Sequence, residues 1–193
     1  VRPMPQLTLD YFLTEHVLGD DAFTPAIEPP VPYTLGVRIA NNGAGLAKSV
    51  SLDSAQPTIV ENKQGLAIGF IITGSYVNDQ PAAPTLLMNF GDIPSKGRTM
   101  GRWIMETTLS GKFTEFTASV SHAAEYGGNL TSLIDGANTH FLIQDVLVDL
   151  PGRDSVNDFL AHDGNNKQLT VFESESLNLN TAQCVDCSPV YHA

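Results

Sequence analysis

The sequence predicts an all-β domain, an antiparallel sandwich with Greek-key connections, and three observations lead to that prediction. Apolar and polar residues alternate in short runs, as they do along strands that bury one face. Turn-forming residues separate these runs, and the 193 residues include 16 Gly and 12 Pro. Helical patterning is scarce, and no segment is long enough for the crossover helix that parallel strands need.

Alternation predicts about nine strands. The clearest run begins at Leu7, where every second residue up to Leu13 is apolar. The same rule predicts strands at residues 35–39, 66–72, 86–90, 116–120 and 146–150, and weaker ones at 49–52, 102–107 and 168–173. Turn pairs such as Asn78-Asp79 lie between these runs.

One or two short helices are also predicted. The best candidate covers residues 155–162, because Asp154 is a suitable N-cap and Gly164 follows the last apolar residue. A second turn or two of helix is expected around residues 130–134. Both segments are too short to connect parallel strands.

We divide the chain into a sandwich domain at residues 1–165 and a C-terminal strand with an irregular tail at 166–193. Within the domain, residues 6–14 form an N-terminal extension strand and residues 110–151 an insertion. A proline-rich stretch at 28–32 connects the first strand stiffly to the next. Residues 1–10 do not have the pattern of a signal peptide. We expect the chain to be a module of a larger protein, the alternative being a processed mature protein.

Composition excludes several functional classes. With 10 Lys+Arg against 21 Asp+Glu the net charge is −11, which disfavours nucleic-acid binding. No apolar run reaches about 18 residues, so no membrane insertion is expected. The 42% hydrophobic and 16% charged content exclude a disordered chain. Neither composition nor motif names a substrate or a reaction, and no cofactor is required for a core of this size.

One segment permits a family comparison. Residues 35–52 comprise an apolar strand, the turn Asn41-Asn42-Gly43-Ala44-Gly45-Leu46-Ala47, and a second apolar strand. This pattern resembles the strand–turn–strand signature of immunoglobulin-like modules of the cell-adhesion-related (CARDB-like) type, found in large secreted and surface proteins of bacteria and archaea. We expect Asn and the two Gly to supply positive φ at the turn. The resemblance implies an immunoglobulin-like, non-catalytic module at an extracellular or cell-surface location.

The two cysteines, Cys184 and Cys187, have C-x-x-C spacing. Such a pair forms a disulfide, a zinc half-site or a redox couple. His192 is available as a third metal ligand, but no second C-x-x-C is present, and Pro189 with a polar tail gives no helix for a redox motif. A disulfide is the expectation, either between the two cysteines or to a segment outside this chain, with metal binding and free thiols as the alternatives.

Acidic residues in loops are the candidate ligands for a calcium ion, because calcium prefers hard oxygen ligands such as carboxylates. The residues with carboxylates in such turn-rich segments are Asp20, Asp21, Asp154, Asp158 and Asp163. EF-hand spacing is absent. The alternative is that Asp154 caps a helix and the others are solvated turn residues.

No catalytic residue is predicted. The five histidines show no metal-ligand spacing, and no Gly-x-Ser-x-Gly motif is present. Trp103 is expected in the core, the alternative being an exposed face that stacks on a sugar ring.

The sequence therefore predicts a structural or adhesive protein that contacts flanking domains or other copies of itself. Unpaired edge strands are the expected contact sites, since their backbone groups can template a neighbour. We expect residues 6–14 and 168–173 to be such edges, with the contacts made by Leu7, Leu9, Leu13, Leu169 and Val171. A calcium- or carbohydrate-binding accessory module is the alternative function.

Overall fold

A computed structural model describes residues 3–59, 68–121, 134–162, 168–175 and 178–183. These residues form thirteen β-strands and no helix, so the protein is all-β. The strands are β1 Leu7–Leu13, β2 His16–Val17, β3 Tyr33–Asn41, β4 Ala47–Ile59, β5 Phe70–Val77, β6 Gln80–Pro81, β7 Met88–Ile93, β8 Arg98–Thr107, β9 Gly111–Ser121, β10 Ile134–Val146, β11 Asp158–His162, β12 Gln168–Phe172 and β13 Asn178–Gln183. Within the same ranges there is no helix that could cross a membrane.

The strands form two sheets. The larger has nine strands in the order β13-β12-β11-β10-β1-β3-β8-β5-β6, and the smaller has four in the order β2-β9-β4-β7. Neighbouring strands run antiparallel, except that β1 and β10 are parallel. The large sheet is therefore mixed, and the antiparallel prediction is wrong at this pair. The two strands are far apart in the chain, so no hairpin dictates their relative direction.

The two sheets pack face to face over a hydrophobic core. Alternate residues of β1 and β3 form one side of this core, and β4 and β7 contribute Val50, Leu52 and Met88 to the other. Trp103 of β8 is 0% exposed, and its Nε1 donates a hydrogen bond to the backbone oxygen of Thr85 at 2.9 Å. The prediction of a core tryptophan is confirmed.

The large sheet curls so strongly that its other face is covered too. β11 lies three strands away from β3, which in a flat sheet means about 14 Å. A Cβ added to Gly36 of β3 would nevertheless meet Phe159 Cζ of β11 at 2.6 Å. This concave face holds a second apolar cluster of Phe12, Met100, Leu142, Phe159, Ala161 and Phe172.

Because the concave face is covered, two even-numbered residues of β1, Asp10 and Phe12, are buried as well. The alternation pattern would have placed them on a face exposed to solvent. Asp10 is 7% exposed and Phe12 is 0% exposed. β1 is therefore buried on both faces, which a period-two pattern alone does not predict.

The predicted helix at residues 155–162 is wrong. Asp158–His162 is strand β11, which pairs with β10 on one side and β12 on the other. Asp154 does cap a turn, since its Oδ1 accepts a hydrogen bond from Val156 N at 2.8 Å. Phe159 and Ala161 then enter the concave face together, as alternating strand residues do.

The segments that the sequence analysis describes as an extension strand, residues 6–14, and as an insertion, residues 110–151, both contribute strands to the two sheets. Residues 110–151 contain β9 and β10, which pair with β4 and β1. The strand at 6–14 becomes β1 and lies between β3 and β10 rather than extending outward.

The strand predicted at 146–150 is wrong, because β10 ends at Val146 and the next residues form a loop. Of residues 130–134 only Ile134 is described, and it begins β10. Neither the immunoglobulin-like arrangement nor the count of nine strands is confirmed.

The turn after β3 uses its glycines for space and not for positive φ. Neither Gly43 nor Gly45 lies in the left-handed region, so that expectation is wrong. A Cβ on Gly43 would meet Gln6 N at 2.4 Å, and one on Gly45 would meet Pro3 O at 2.4 Å. The N-terminal segment before β1 packs against this turn, and only glycine leaves room for it.

Left-handed backbone occurs instead at the predicted turn between β5 and β6. Asn78 has φ 46° and Asp79 has φ 60°. Positive φ at both central residues is the geometry of a two-residue type I′ hairpin, for which Asn and Asp are suited.

Candidate functional site

The large sheet and its adjoining segments contain a set of buried ionisable groups. Its members are charged or titratable side chains at most 7% exposed, and they are Asp10, Arg38, Arg102, Asp158, His162 and Glu173. By strand alternation Asp10, Arg38 and Arg102 share the concave face with Phe12 and Met100. Buried charges are costly unless they are paired, so the partners of these groups define what they can do.

Asp10 is the hub of the first group. Its carboxylate accepts hydrogen bonds from Asn138 Nδ2 at 3.0 Å and Arg38 Nη1 at 3.5 Å, and it lies 3.2 Å from His140 Nε2. The parallel register creates this arrangement by placing Asp10 opposite Asn138 and Phe12 opposite His140. Asp10 therefore joins the side chains of β1, β3 and β10.

The protonation of this group follows from its surroundings. Burial opposes ionisation of Asp10, but the hydrogen bonds from His140 and Asn138 and the charge of Arg38 outweigh it, so the pKa of Asp10 lies below its ordinary value. Burial lowers the pKa of Arg38 to about 10, although Asp10 opposes the change. Both groups are charged at neutral pH.

An Asp–His pair raises the question of nucleophilic catalysis, in which the histidine activates a hydroxyl or thiol. The His140 ring packs against Phe12 and Phe172, with centroid distances of 5.4 and 4.4 Å, and the two phenyl rings also contact each other at 5.1 Å. Its Nδ1 is buried and, among the residues that the structure covers, has no hydrogen-bond partner. Within the described residues, the Asp10–His140 pair joins β1 to β10, and no hydroxyl or thiol is hydrogen-bonded to Nδ1 of His140.

Arg102 is the hub of a second group. It pairs with Asp79 of the β5–β6 turn, its Nε lies 3.3 Å from Asp145 Oδ2, and it donates a hydrogen bond to Asn157 O. Its guanidinium also lies 5.0 Å from the Phe159 ring centroid, within cation–π range. Burial raises the pKa of Asp145 despite Arg102, and the charge of Asp79 adds to that rise. This group ties the hairpin to the loop before β11.

Acidic residues form a third group around Ser174. The carboxylate of Asp158 accepts a hydrogen bond from Ser174 N at 2.8 Å, and the Ser174 hydroxyl donates to Asp154 at 3.0 Å. Glu173, which is 0% exposed, pairs with Arg153. Burial raises the pKa of Asp158 to about 6, and the neighbouring charges of Glu175 and Glu173 contribute.

The candidate calcium ligands do not assemble into a described cation site. Asp20 Oδ1 accepts a hydrogen bond from Glu28 N at 2.9 Å, and Asp21 Oδ1 accepts one from Phe23 N at 3.0 Å, so both stabilise their own loop. Asp154 and Asp158 belong to the group around Ser174, and Asp163 lies outside the described residues. Across the described ranges no three His, Cys, Asp or Glu side chains come together as metal ligands would.

The predicted contact residues are not at sheet edges. Leu7, Leu9 and Leu13 are at most 2% exposed, because β1 is hydrogen-bonded to β3 and β10 and its odd residues face the core. β12 lies between β11 and β13, Leu169 is partly buried and Val171 is 6% exposed. Cys184 and Cys187, like His192, lie outside the described residues.

Among the residues whose burial the structure describes, the two most exposed large apolar side chains lie in the loop of residues 18–32, here called the proline loop. Ile27 is 90% exposed and Phe23 is 78% exposed. Sequence reasoning treated this stretch as a stiff connection. The sequence feature that could have indicated an exposed apolar loop here is the pair of large apolar residues, Phe23 and Ile27, which lie outside any alternating run and between acidic and proline residues.

These features define an all-β protein of two packed sheets in which Arg38 is paired with Asp10 and Arg102 with Asp79. In comparisons with known proteins, no family model, no curated protein and no solved structure matches the chain.

Proposed function

We propose that the protein is a non-catalytic structural or adhesive module that acts through surface contacts with neighbouring modules or subunits. The observation that carries this proposal is the proline loop, which presents Phe23 and Ile27 to solvent from a backbone held by hydrogen bonds. Isolated exposed apolar residues are ordinary, but two on one ordered loop favour an interaction site.

Edge pairing contributes less to the proposal than loop contact. Along the described part of the smaller sheet, β7 is one edge, and Gly91 within it has φ 71°. β6, at the edge of the larger sheet, has two residues and contains Pro81. Short strands, proline and irregular backbone are the means by which proteins discourage pairing at an edge.

We extend the proposal to an extracellular or cell-surface location and to an immunoglobulin-like, CARDB-like relationship. The support is the Asn41–Gly45 turn, which joins strands of the two packed sheets and matches the signature pattern. A disulfide between Cys184 and Cys187 belongs to this extended proposal. Mass measurement after alkylation, with and without reductant, tests it: only the reduced sample should gain two alkyl groups.

Thermal unfolding and solution mass test the functional proposal. We expect the melting temperature to be the same with calcium, with chelator and with soluble sugars, and we expect concentration-dependent self-association or docking to a flanking module. A loss of several degrees in chelator would instead identify a calcium-binding module, because a ligand stabilises the folded state by mass action.

A further inference from the structure

The proline loop is ordered although its tip is exposed. Val31 N donates to Leu18 O at 2.9 Å and closes the base of the loop, and Thr24 N donates to Asp21 O at 3.0 Å within it. Asp20 Oδ1 holds Glu28 N. Four prolines, Pro25, Pro29, Pro30 and Pro32, restrict the rest of its backbone. Phe23 and Ile27 are therefore presented in a preorganised form, which lowers the entropic cost of binding.

The charge of the loop has one sign. Residues 18–32 include Asp20, Asp21 and Glu28 and no Lys or Arg. A surface that fits this loop needs apolar side chains for its tip and cations around them.

The opposite end of the same molecule has that combination. Met4 is 53% and Leu46 is 45% exposed, and they are adjacent because Gly45 N donates to Met4 O at 3.0 Å. Lys96 is exposed and contacts the same turn, since its Nζ donates to Asn42 O at 2.5 Å and its backbone N donates to Asn41 O at 2.9 Å. We call Met4, Leu46, Lys48, Lys96 and Arg98 the turn end. Its acidic neighbour Asp92 already accepts a hydrogen bond from Ser49 N.

The register fixes the two surfaces at opposite ends. Leu13, beside the proline loop, pairs with Leu35, whereas Leu7, beside the turn end, pairs with Asn41. The nine residues of β3 separate them, which corresponds to about 30 Å.

We propose that the proline loop of one copy docks on the turn end of a second copy, with Phe23 and Ile27 against Met4 and Leu46 and with Glu28 facing Lys96. This inference rests on the proposed function and names the partner as another copy of this chain. Because the two surfaces differ and lie at opposite ends, the contact is heterologous, and its repetition gives an open chain of molecules or, where the rotation closes, a ring.

Sedimentation over a range of protein concentrations tests the contact. The double variant Phe23→Ser/Ile27→Ser should weaken self-association about tenfold or more, because exposed anchors of this kind dominate small interfaces. The matched control is Leu147→Ser/Leu150→Ser, two leucines 54% and 51% exposed in the β10–β11 loop, which should leave association unchanged. Equal melting temperatures establish that each variant is folded.

Charge exchange tests the pairing of the two ends. Glu28→Lys and Lys96→Glu should each weaken association, and their combination in one chain should restore it. Added salt should weaken the unaltered contact, since exposed charges are screened.

A mixing experiment separates a heterologous contact from a symmetric one. Phe23→Ser/Ile27→Ser keeps its turn end and Leu46→Ser/Lys96→Glu keeps its loop, so a mixture should form a 1:1 dimer and nothing larger. Association that persists in the loop variant would overturn the inference and leave the proposed function standing. A protein that stays monomeric at every concentration also overturns it, and docking to a flanking module then decides the proposed function separately.

Discussion

Asp158 is a buried carboxyl group whose ionisation the fold opposes. It is 2% exposed at the start of β11, and Glu173 and Glu175 add negative charge around it. Its pKa is about 6 in the folded protein against an ordinary 3.8. A raised folded-state pKa means that the contribution of this group to stability is complete below about pH 4 and is lost as the pH rises toward 6.

Asp158→Asn should therefore stabilise the protein at pH 7.5 and have little effect at pH 4. The amide keeps an oxygen for Ser174 N and removes the buried charge. We expect a rise of a few degrees in melting temperature at pH 7.5, since about 1 kcal/mol corresponds to about 2–4 °C in a domain of this size.

The exposed Asp149 provides the control, because Asp149→Asn should change neither value. A melting temperature of Asp158→Asn below that of the unaltered protein at pH 7.5 would show that the carboxylate is favourable there.

Asn41 is a polar hub at the other end of the molecule. It is 1% exposed, its Oδ1 accepts hydrogen bonds from Gln6 N and Gly43 N at 3.1 Å, and its Nδ2 donates to Gly45 O and Ile93 O at 2.8 and 3.0 Å. One side chain thus joins the N-terminal segment, its own turn and the turn after β7.

Asn41→Ala should lower the free energy of unfolding by about 2–3 kcal/mol, because buried backbone groups lose their partners. Denaturant unfolding measures the change. Asn42→Ala is the matched control: Asn42 is exposed and its side chain makes one hydrogen bond, to Thr8, so a change within about 0.5 kcal/mol is expected. If Asn41→Ala and Asn42→Ala changed the free energy of unfolding equally, the role of Asn41 as a hydrogen-bonding hub would be contradicted.

At the scale of elements, the curl of the large sheet depends on the contact between β3 and β11. Gly36 is necessary there because the Phe159 ring occupies the position of a side chain. The same ring stacks on Phe12 with a centroid distance of 4.4 Å. Aromatic packing thus holds together strands that are not neighbours in the sheet.

Gly36→Ala should destabilise the protein by about 1–3 kcal/mol through overpacking. Phe159→Leu in the same chain should recover part of that loss, because a smaller side chain makes room for the methyl group. Gly136→Ala, at a site with no atom within 4 Å of the added Cβ, is the control and should cost little. Additive effects of Gly36→Ala and Phe159→Leu would show that the two strands do not meet.

At the scale of the whole molecule, β1 closes the architecture. It is the one strand that joins the N-terminal antiparallel part of the large sheet, β3-β8-β5-β6, to the C-terminal part, β10 to β13. Asp10 reinforces the join through His140 and Asn138. Since both parts depend on β1, the described strands should unfold as one cooperative unit.

Hydrogen exchange checks this role. Peptides that cover residues 7–13 should be among the slowest to exchange, because β1 is paired on both sides and buried on both faces. Peptides from residues 20–30 of the proline loop serve as the exposed reference and should exchange within seconds to minutes. Rapid exchange in β1 would indicate an edge strand, as the sequence analysis expected.

Much of the local structure was predictable. Alternation identified β1, β3, β7, β8 and β12, and turn chemistry identified Asn78-Asp79. The short apolar segment of β11 was misread as a helix, because five residues cannot distinguish the two periods and the capping signal at Asp154 suits either. The polar groups on the concave face were missed, because Asp10 and Arg38 occupy alternating positions that ordinarily face solvent.

The sequence by itself determined the all-β class, the position of the turn at Asn78-Asp79 and the burial of Trp103, because these depend on side-chain periodicity and on backbone preferences within a few residues. Only the tertiary structure decided that β1 is an interior strand, that it runs parallel to β10 and that Asp10, Arg38 and His140 meet. Those outcomes depend on which distant strands pair and on how far the sheet curls. The free energy of packing whole faces sets both, and no local pattern encodes them.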